Sequence, residues 1–405
     1  MTDNSLFAEK TIILGVTGSI AAYKAADLAS KLTQAGAHID VILTQAAREF
    51  ITPLTFQSVT GHRAFTEEDL WGKEGHIQHI GLGKRADLLA IAPATANTIA
   101  KLAHGIADNL LTVTALAAQC PLVIAPAMDG GMFTHPSTQS NLEILRERST
   151  TIVGPAEGYL ASGLSGLGRM VEPIELLGHI RLVLANNGPL CGRKVVVTAG
   201  GTQEPIDPVR VITNLSSGKQ GYALAQAALE KGAAVTLISA PTCLPPPVGV
   251  SLVNVTTAED MLHAVLDQSN DADVLIMAAA VADFRPSKTS YQKIKKTTGI
   301  SKINLESTVD ILNAVADLKT RQEYPRLVVG FAAESEDLMS NAKAKLRTKN
   351  LDLIIANDIT SKDAGFAADT NRVIILDAGG GEEALPLITK DEVAKHVIQR
   401  VTPLI

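Results

Sequence analysis

Several stretches of the 405-residue sequence gather small, hydroxyl-bearing and charged residues in patterns that can hold an anion or move a proton. LGVTGSIAAYK places Gly15, Gly18 and Ser19 between a β-branched run and an alanine-rich one. A glycine turn opening a helix offers backbone N–H groups to a phosphate, and Ser19 adds a hydroxyl. The spacing is not GxGxxG, so a dinucleotide fingerprint is incomplete, and a plain helix cap explains the residues as well. IAPATANTIAK carries Pro93, Thr95, Asn97 and Thr98 where an apolar strand gives way to a helix. Ligands of open α/β sheets bind outside the carboxyl ends of strands, although simple capping accounts for the same residues. APAMDGGMF follows the next strand and contains Asp129. PAEGYLASGLSGLGRM is glycine-rich, carries Glu157, Ser162 and Arg169, and is too long for a turn; it reads as a flap over a ligand. His76 and His79, three apart, can share a helix face, but no third residue at metal-ligand spacing accompanies them.

In the second half, VTAGGTQEPIDPVRVITNLSSGKQG is not a Walker A loop, because Thr213 stands five residues before Gly218. Ser216, Ser217 and Gly218 at a helix start still suit a phosphate, and Arg210 and Asn214 can converge on a carboxylate or phosphate. KIKK, 293–296, is either a solvated charge run or a clamp on a triphosphate, where lysine acts as a point charge. Lys345 and Lys349 are four apart and share a helix face.

These residues need a scaffold, and the chain starts one twice. Segments 10–44 and 193–239 each read as strand, glycine turn, alanine-rich helix, glycine stop (Gly36, Gly232) and second buried strand, which is a βαβ unit. Between them NNGPLCG is polar and aperiodic, so the domain boundary falls near 188. The expected fold is α/β: two consecutive doubly wound, mostly parallel-sheet, Rossmann-like domains, 1–188 and 189–405. Further strands are predicted over 87–92, 121–125, 151–153, 274–278, 327–331 and 353–356. Helices are predicted over 95–103, 109–118 and 139–148. The polar stretch 283–304 reads as a long loop, functional or mobile.

Composition removes other classes. Aromatic residues are only 3% of the chain and the net charge is −6. Neither aromatic stacking platforms nor a basic footprint for nucleic acid is present. Three widely spaced cysteines without a CxxC pair fit a reducing cytoplasm. The polar, acidic start is not a signal peptide, and the longest apolar run is too short to span a membrane.

GSIAAYK, the GHI around His76, PATANTIAK, the PAM–M element at 126–132 and GLGRM together resemble the flavin-dependent cysteine decarboxylases, over about 10–180. The resemblance implies FMN bound by Gly18, Ser19, Thr44 and the segment Pro93, Thr95, Asn97 and Thr98, with His76 as the catalytic histidine. Two positions depart from the family pattern: Asp129 stands where Asn is common, and Ser162 where the family has its proton-donating Cys. Either Asp129 or water takes the donor role, or the reaction stops at the oxidised enethiol. AGGTxEPIDPVR, ITNxSSGKxG, AAAVADFRP, KIKK, VVGFAAE and ANDI resemble the phosphopantothenate–cysteine ligases, over about 190–400. That resemblance implies CTP as co-substrate with Mg²⁺, whose ligands it does not identify. It places Ala279, Asp283, Phe331, Lys345, Lys349 and the stretch Val309, Asp310, Ile311 and Leu312 around the nucleotide. Lys293 would stabilise charge as the acyl-cytidylate forms, and Asn214 with Arg210 would hold it; Val309 replaces a family Pro. The order of the halves resembles the bifunctional coenzyme A biosynthesis proteins, acting on 4′-phosphopantothenate and cysteine. The family also implies decarboxylase trimers linked by ligase dimers. Two other readings remain at this point: a ligase fused to a regulatory flavin-binding module, and a nicotinamide-linked dehydrogenase, which lacks its GxGxxG in both halves.

Overall fold

The computed structural model describes residues 6–71, 75–161, 163, 165–295, 302–334, 337–358 and 368–405. The chain forms two compact units, Met1–Ala185 and Asn186–Ile405.

The first unit begins with β1 (Thr11–Val16), α1 (Ala22–Gln34), β2 (His38–Leu43), α2 (Pro53–Thr60), α3 (Gly75–Arg85) and β3 (Leu88–Ala94). It continues through α4 (Ala96–His104), α5 (Leu110–Ala117), β4 (Leu122–Pro126), α6 (Gly130–Thr134), α7 (Pro136–Glu147) and β5 (Thr151–Ile152). A ribbon of β6 (Ala156–Tyr159) and β7 (Ser165–Arg169) precedes α8 (Pro173–Ala185). The five-stranded sheet runs β2-β1-β3-β4-β5 with every pairing parallel. Its strands are apolar on both faces because helices cover both. Ile12, Leu14 and Val16 pack with α1 and α8, while Ile13, Leu89, Ile91 and Ile124 pack with α5 and α7. Gly36 adopts φ +98°, a left-handed conformation that ends α1 cheaply because glycine has no Cβ. The last of the predicted helices begins earlier than 139: Pro136 sits in its first turn, where its missing N–H costs nothing.

The second unit opens with β8 (Lys194–Ala199), the ribbon β9 (Gln203–Asp207) and β10 (Arg210–Thr213), then α9 (Lys219–Leu229), β11 (Ala234–Ser239) and β12 (Ser251–Asn254). It continues with α10 (Ala258–Ser269), β13 (Val274–Met277), β14 (Phe284–Pro286), β15 (Leu305–Ser307) and α11 (Ile311–Arg321). Then come β16 (Leu327–Glu334), α12 (Leu338–Thr348), β17 (Leu353–Asp358), β18 (Thr370–Asn371), β19 (Val373–Asp377), β20 (Glu382–Ala384), β21 (Ile388–Thr389) and α13 (Lys390–Val401). The main sheet runs β12-β11-β8-β13-β16-β17-β19-β20, parallel through β17 and antiparallel after it. The parallel part has its first strand at the centre and reverses direction between β8 and β13. The stretch 283–304 is not simply a loop. It starts with β14, which pairs antiparallel with β15, so its two ends are tied together.

Candidate active sites

In the first unit the strand order reverses between β1 and β3, which leaves a crevice outside their carboxyl ends. A cavity of about 480 Å³ lies there, within the usual range for small-molecule sites. Gly18 and Ser19 line it from the β1 turn, Thr95 from the start of α4, and Asp129 with Met128 from the loop after β4. Tyr159, Leu160 and Arg169 line it from the β6–β7 ribbon, so the flap of the sequence is a two-stranded ribbon against the crevice.

The other expected FMN contacts do not line this cavity but build its wall. Pro93 is buried behind a cis peptide bond, and its carbonyl accepts the Thr17 hydroxyl at 2.6 Å. That hydroxyl in turn accepts the Thr95 N–H at 3.1 Å, so buried Thr17 sets the entry to α4. Thr95 then caps the helix by accepting the Thr98 N–H, and buried Thr98 lies 3.2 Å from it, hydroxyl to hydroxyl. Asn97 is exposed on the first turn. Thr44 caps the 3₁₀ turn after β2 by accepting the Ala47 N–H. A Cβ on Gly18 would come within 2.5 Å of the Ala46 Cβ in that same turn, which is why the position needs glycine. Asp129 caps α6, accepting the Gly131 N–H at 2.9 Å.

Lys24 was not among the expected residues. It lines the cavity, is 4% exposed, and donates to the Met170 carbonyl at 2.8 Å and to Glu172 at 2.9 Å. The signal was a lysine on the buried stripe of α1 with Ala25 and Leu28. The Lys24 hydrogen bond, followed by smaller pull from Arg169, holds the Glu172 carboxyl below its ordinary range. His76 lies in the first turn of α3, and its side chain and Ser162 lie outside the described residues. Among the described residues no three metal-ligating side chains gather.

In the second unit the order reverses between β8 and β13, and the loops after these strands are stitched to each other. Thr198 is fully buried; its hydroxyl accepts the N–H groups of Ala278 and Ala279 at 3.1 Å. Thr202, also buried, accepts the Ala282 N–H at 2.9 Å. The Asn214 amide donates to the Val281 carbonyl at 2.9 Å. Ala279 is half-buried within this loop and Asp283 is exposed at its end. Gly218 opens α9 at φ +76°, with Ser216 Oγ accepting its N–H at 3.4 Å.

Arg210 and Asn214 do not converge. They sit at opposite ends of the extended β10 segment, about 13 Å apart at about 3.3 Å per residue. The Arg210 guanidinium pairs with Asp207 at 3.1 Å and donates to the Ile294 carbonyl at 3.3 Å. Lys293 is exposed, and Lys296 lies outside the described residues. Asp310 caps α11, accepting the Asn313 N–H at 3.1 Å, and forms an ion pair with Lys349. Partial burial works to raise the Asp310 pKa, but the Lys349 and Asn313 hydrogen bonds outweigh it and hold it below the ordinary value. Lys349 also donates to the Asn313 side chain at 3.0 Å. Lys345 is half-buried one turn earlier, Phe331 lies on β16, Val309 is exposed, Ile311 is buried and Leu312 is half-buried.

Residues 3–184 match a flavoprotein family model, and residues 190–404 match the DNA/pantothenate metabolism flavoprotein C-terminal domain. The coenzyme A biosynthesis bifunctional protein CoaBC of Bacillus subtilis (strain 168) is 45% identical over 398 residues, covering 98% of this chain and 97% of that protein. That of Vibrio vulnificus (strain CMCP6) is 43% identical over 397 residues, covering 98% of each. The crystal structure of the C-terminal domain of a protein of the same name is 41% identical, covers 54% of this chain and 98% of that one, and has a TM-score of 0.46. With a strand-order reversal in each unit and relatives matched almost end to end, the chain belongs to the family of coenzyme A biosynthesis bifunctional proteins.

Proposed function

We propose that residues 189–405 join 4′-phosphopantothenate to cysteine with CTP, and that residues 1–188 decarboxylate the product to 4′-phosphopantetheine with FMN. The observation that carries this reading is the first unit's cavity. It collects Gly18, Ser19, Thr95 and Asp129, separate motifs in sequence, at the reversal point of a sheet whose order suits FMN.

The residues present fit FMN. The crevice is bounded by backbone that glycine alone permits at Gly18, hydroxyls come from Ser19 and Thr95, and Met128, Met132 and Leu160 supply apolar wall. When bound, FMN supplies a two-electron acceptor and donor, so that the carbon bearing the thiol can become a thioaldehyde beside the departing CO₂ and later be reduced back. Ser19 and Thr95 bind and orient the cofactor, with Thr44, Pro93, Asn97 and Thr98 holding the turns that present them. Lys24 and Arg169 provide cationic groups at the wall and rim. His76 assists removal of the substrate proton. Asp129, or water held at the same wall, returns a proton in the reductive half in place of the thiol absent at Ser162.

In the ligase, the phosphopantothenate carboxylate attacks the α-phosphorus of CTP and pyrophosphate leaves. The cysteine amine then attacks the acyl carbon and CMP leaves. Lys293 stabilises charge in the first step. Asn214 holds the acyl-cytidylate in the second, while Arg210, paired with Asp207 and the Ile294 carbonyl, supports the segment that carries Lys293. Ala279, Asp283, Val309, Asp310, Ile311, Leu312, Phe331, Lys345 and Lys349 surround the nucleotide, and Mg²⁺ accompanies the triphosphate. Trimers of the first unit linked by dimers of the second complete the proposed cytoplasmic assembly.

The test is incubation with phosphopantothenate, cysteine, CTP and Mg²⁺ followed by mass analysis. 4′-Phosphopantetheine is expected. A product about two mass units lighter would show that the reductive half is missing and would refute proton return by Asp129 or water.

A further inference from the structure

Lys293 follows β14 in a segment that the β9–β10 ribbon holds by its main chain. Asp207 ends β9 and is 1% exposed. Its Oδ1 accepts the N–H groups of Val209 and Arg210 at 2.9 and 3.0 Å, which closes the turn of the ribbon. Its Oδ2 accepts the Ile294 N–H at 3.2 Å and an Arg210 guanidinium N–H at 3.1 Å. The other terminal nitrogen of Arg210 donates to the Ile294 carbonyl at 3.3 Å. One carboxylate–guanidinium pair therefore engages both main-chain polar groups of Ile294. Just upstream, the Ser290 N–H donates to the Ile206 carbonyl at 3.0 Å and the Thr289 hydroxyl to the Pro205 carbonyl at 3.1 Å. From 289 to 294 the segment is laid along β9, and Lys293 is the exposed cation immediately before the clamped peptide.

We propose that Asp207 is a positioning residue for the ligase: through Ile294 it fixes the main chain from which Lys293 reaches the reacting phosphate. The inference rests on the reading of Lys293 as the charge stabiliser of acyl-cytidylate formation. A point charge lowers a barrier only when it is already in place as charge develops, and the flexible lysine stem cannot supply that order alone. The two carboxylate oxygens have separate work. Oδ1 folds the ribbon turn, and Oδ2 holds the lysine segment. The second task can therefore be removed with the first left in place.

Asp207→Asn does this at equal size. With its oxygen toward the turn, the new amide NH₂ faces the Ile294 N–H and the guanidinium, donor against donor. Two measurements on the full-length enzyme separate clamp from role. The clamp is read by limited trypsin cleavage after Lys293, which should quicken in Asp207→Asn while the thermal transition stays close to wild type. The role is read by pyrophosphate release during turnover with phosphopantothenate, CTP and cysteine. Its kcat should fall about 10- to 100-fold with KM for CTP nearly unchanged. Asp207→Asn combined with Lys293→Met should be no slower than Lys293→Met alone, because both act through one group. Ile294→Pro, which deletes the donor from the other side, should reproduce the kinetic loss should Asp207→Asn fail to fold. Wild-type cleavage and wild-type kcat in Asp207→Asn, or additive losses in the double variant, would overturn the proposal. Faster cleavage with undiminished pyrophosphate release in Lys293→Met would instead overturn the role given to Lys293, leaving the clamp without a catalytic purpose.

Discussion

Replacing Lys24 by Met keeps the length of the side chain and deletes one ammonium, and the structure says what that ammonium holds. It makes two hydrogen bonds of unequal value. The Glu172 partner is 53% exposed and already receives Arg169 at 2.6 Å, so this pair contributes about 0–1 kcal/mol. The Met170 carbonyl belongs to a residue 1% exposed, and a bond from a charged donor contributes about 1.5–3 kcal/mol. The apolar Met packs with Ala25 and Leu28 and recovers part of the loss, so about 2–3 kcal/mol of net destabilisation is expected. For a unit of this size that lowers Tm by about 4–12 °C. The transition of the first unit is read by flavin fluorescence on unfolding, alongside calorimetry, because the two units can unfold separately. The pH dependence divides the two bonds. Glu172 has a folded pKa below its ordinary 4.5. Its share is therefore fully present above the unfolded value and is lost as pH falls through the folded one. The Met170 carbonyl does not titrate, so its share persists. The gap between wild type and Lys24→Met should narrow by no more than about 1 kcal/mol on going from pH 7 to pH 4. A variant as stable as wild type at pH 7, or a gap that vanishes in acid, would refute the assignment of most of the energy to the Met170 carbonyl.

Gly168→Ala should impair the decarboxylase more than about 10-fold and spare the ligase. Gly168 sits at φ +147°, and a Cβ there would lie 2.3 Å from the Met128 carbonyl, forcing the β6–β7 ribbon away from the Asp129 loop. Full flavin content with normal CO₂ release would contradict this. Thr198→Val, nearly isosteric, should leave the Ala278 and Ala279 N–H groups without their acceptor at a cost of about 1–3 kcal/mol. Pyrophosphate release should fall while decarboxylation of added phosphopantothenoylcysteine continues; equal loss of both activities would point to a general folding defect instead.

Much of the scaffold was legible because it follows from local pattern. Segments 10–44 and 193–239 form their βαβ units, and Gly232 stops α9 at φ +88° as Gly36 stops α1. A doubly covered parallel strand announces itself by a continuous apolar run, and a helix end by a glycine. The ribbons were not legible. β6 and β7 contain no β-branched residue, Gly158 and Gly166 pair with each other, and Gly168 sits at the register shift between the strands. β14 finds β15 across the 18 residues 287–304, which no local signal records. At the sites, the motifs gave hydroxyl and glycine positions that do line the first crevice, but they did not tell wall from lining. Thr44, Pro93 and Thr98 are spent on capping and on the buried network, and that distinction needs the direction of each hydroxyl. Arg210 and Asn214 looked convergent because they are close in sequence, but the intervening residues are extended.

The two units solve one mechanical problem in the same way. A crevice at a strand-order reversal is open because the helices on either side of it depart to opposite faces of the sheet. Its floor must nevertheless be fixed if it is to orient a ligand. In the first unit Thr17, one residue past β1, donates to the Pro93 carbonyl and accepts the Thr95 N–H across the β1–β3 gap. In the second, Thr198, next to last in β8, accepts the Ala278 and Ala279 N–H groups across the β8–β13 gap. Each is a buried β-branched residue with a hydroxyl, so it keeps the strand's apolar shape while carrying one polar atom into the seam. A valine would preserve the packing and leave the loop N–H groups orphaned; a serine would keep the hydroxyl and free its rotamer. Threonine meets both requirements, and it does so in two sheets of different strand order. The shared device is therefore tied to the reversal point itself rather than to either chemistry, and the distinct reactions arise from what each stitched loop then presents.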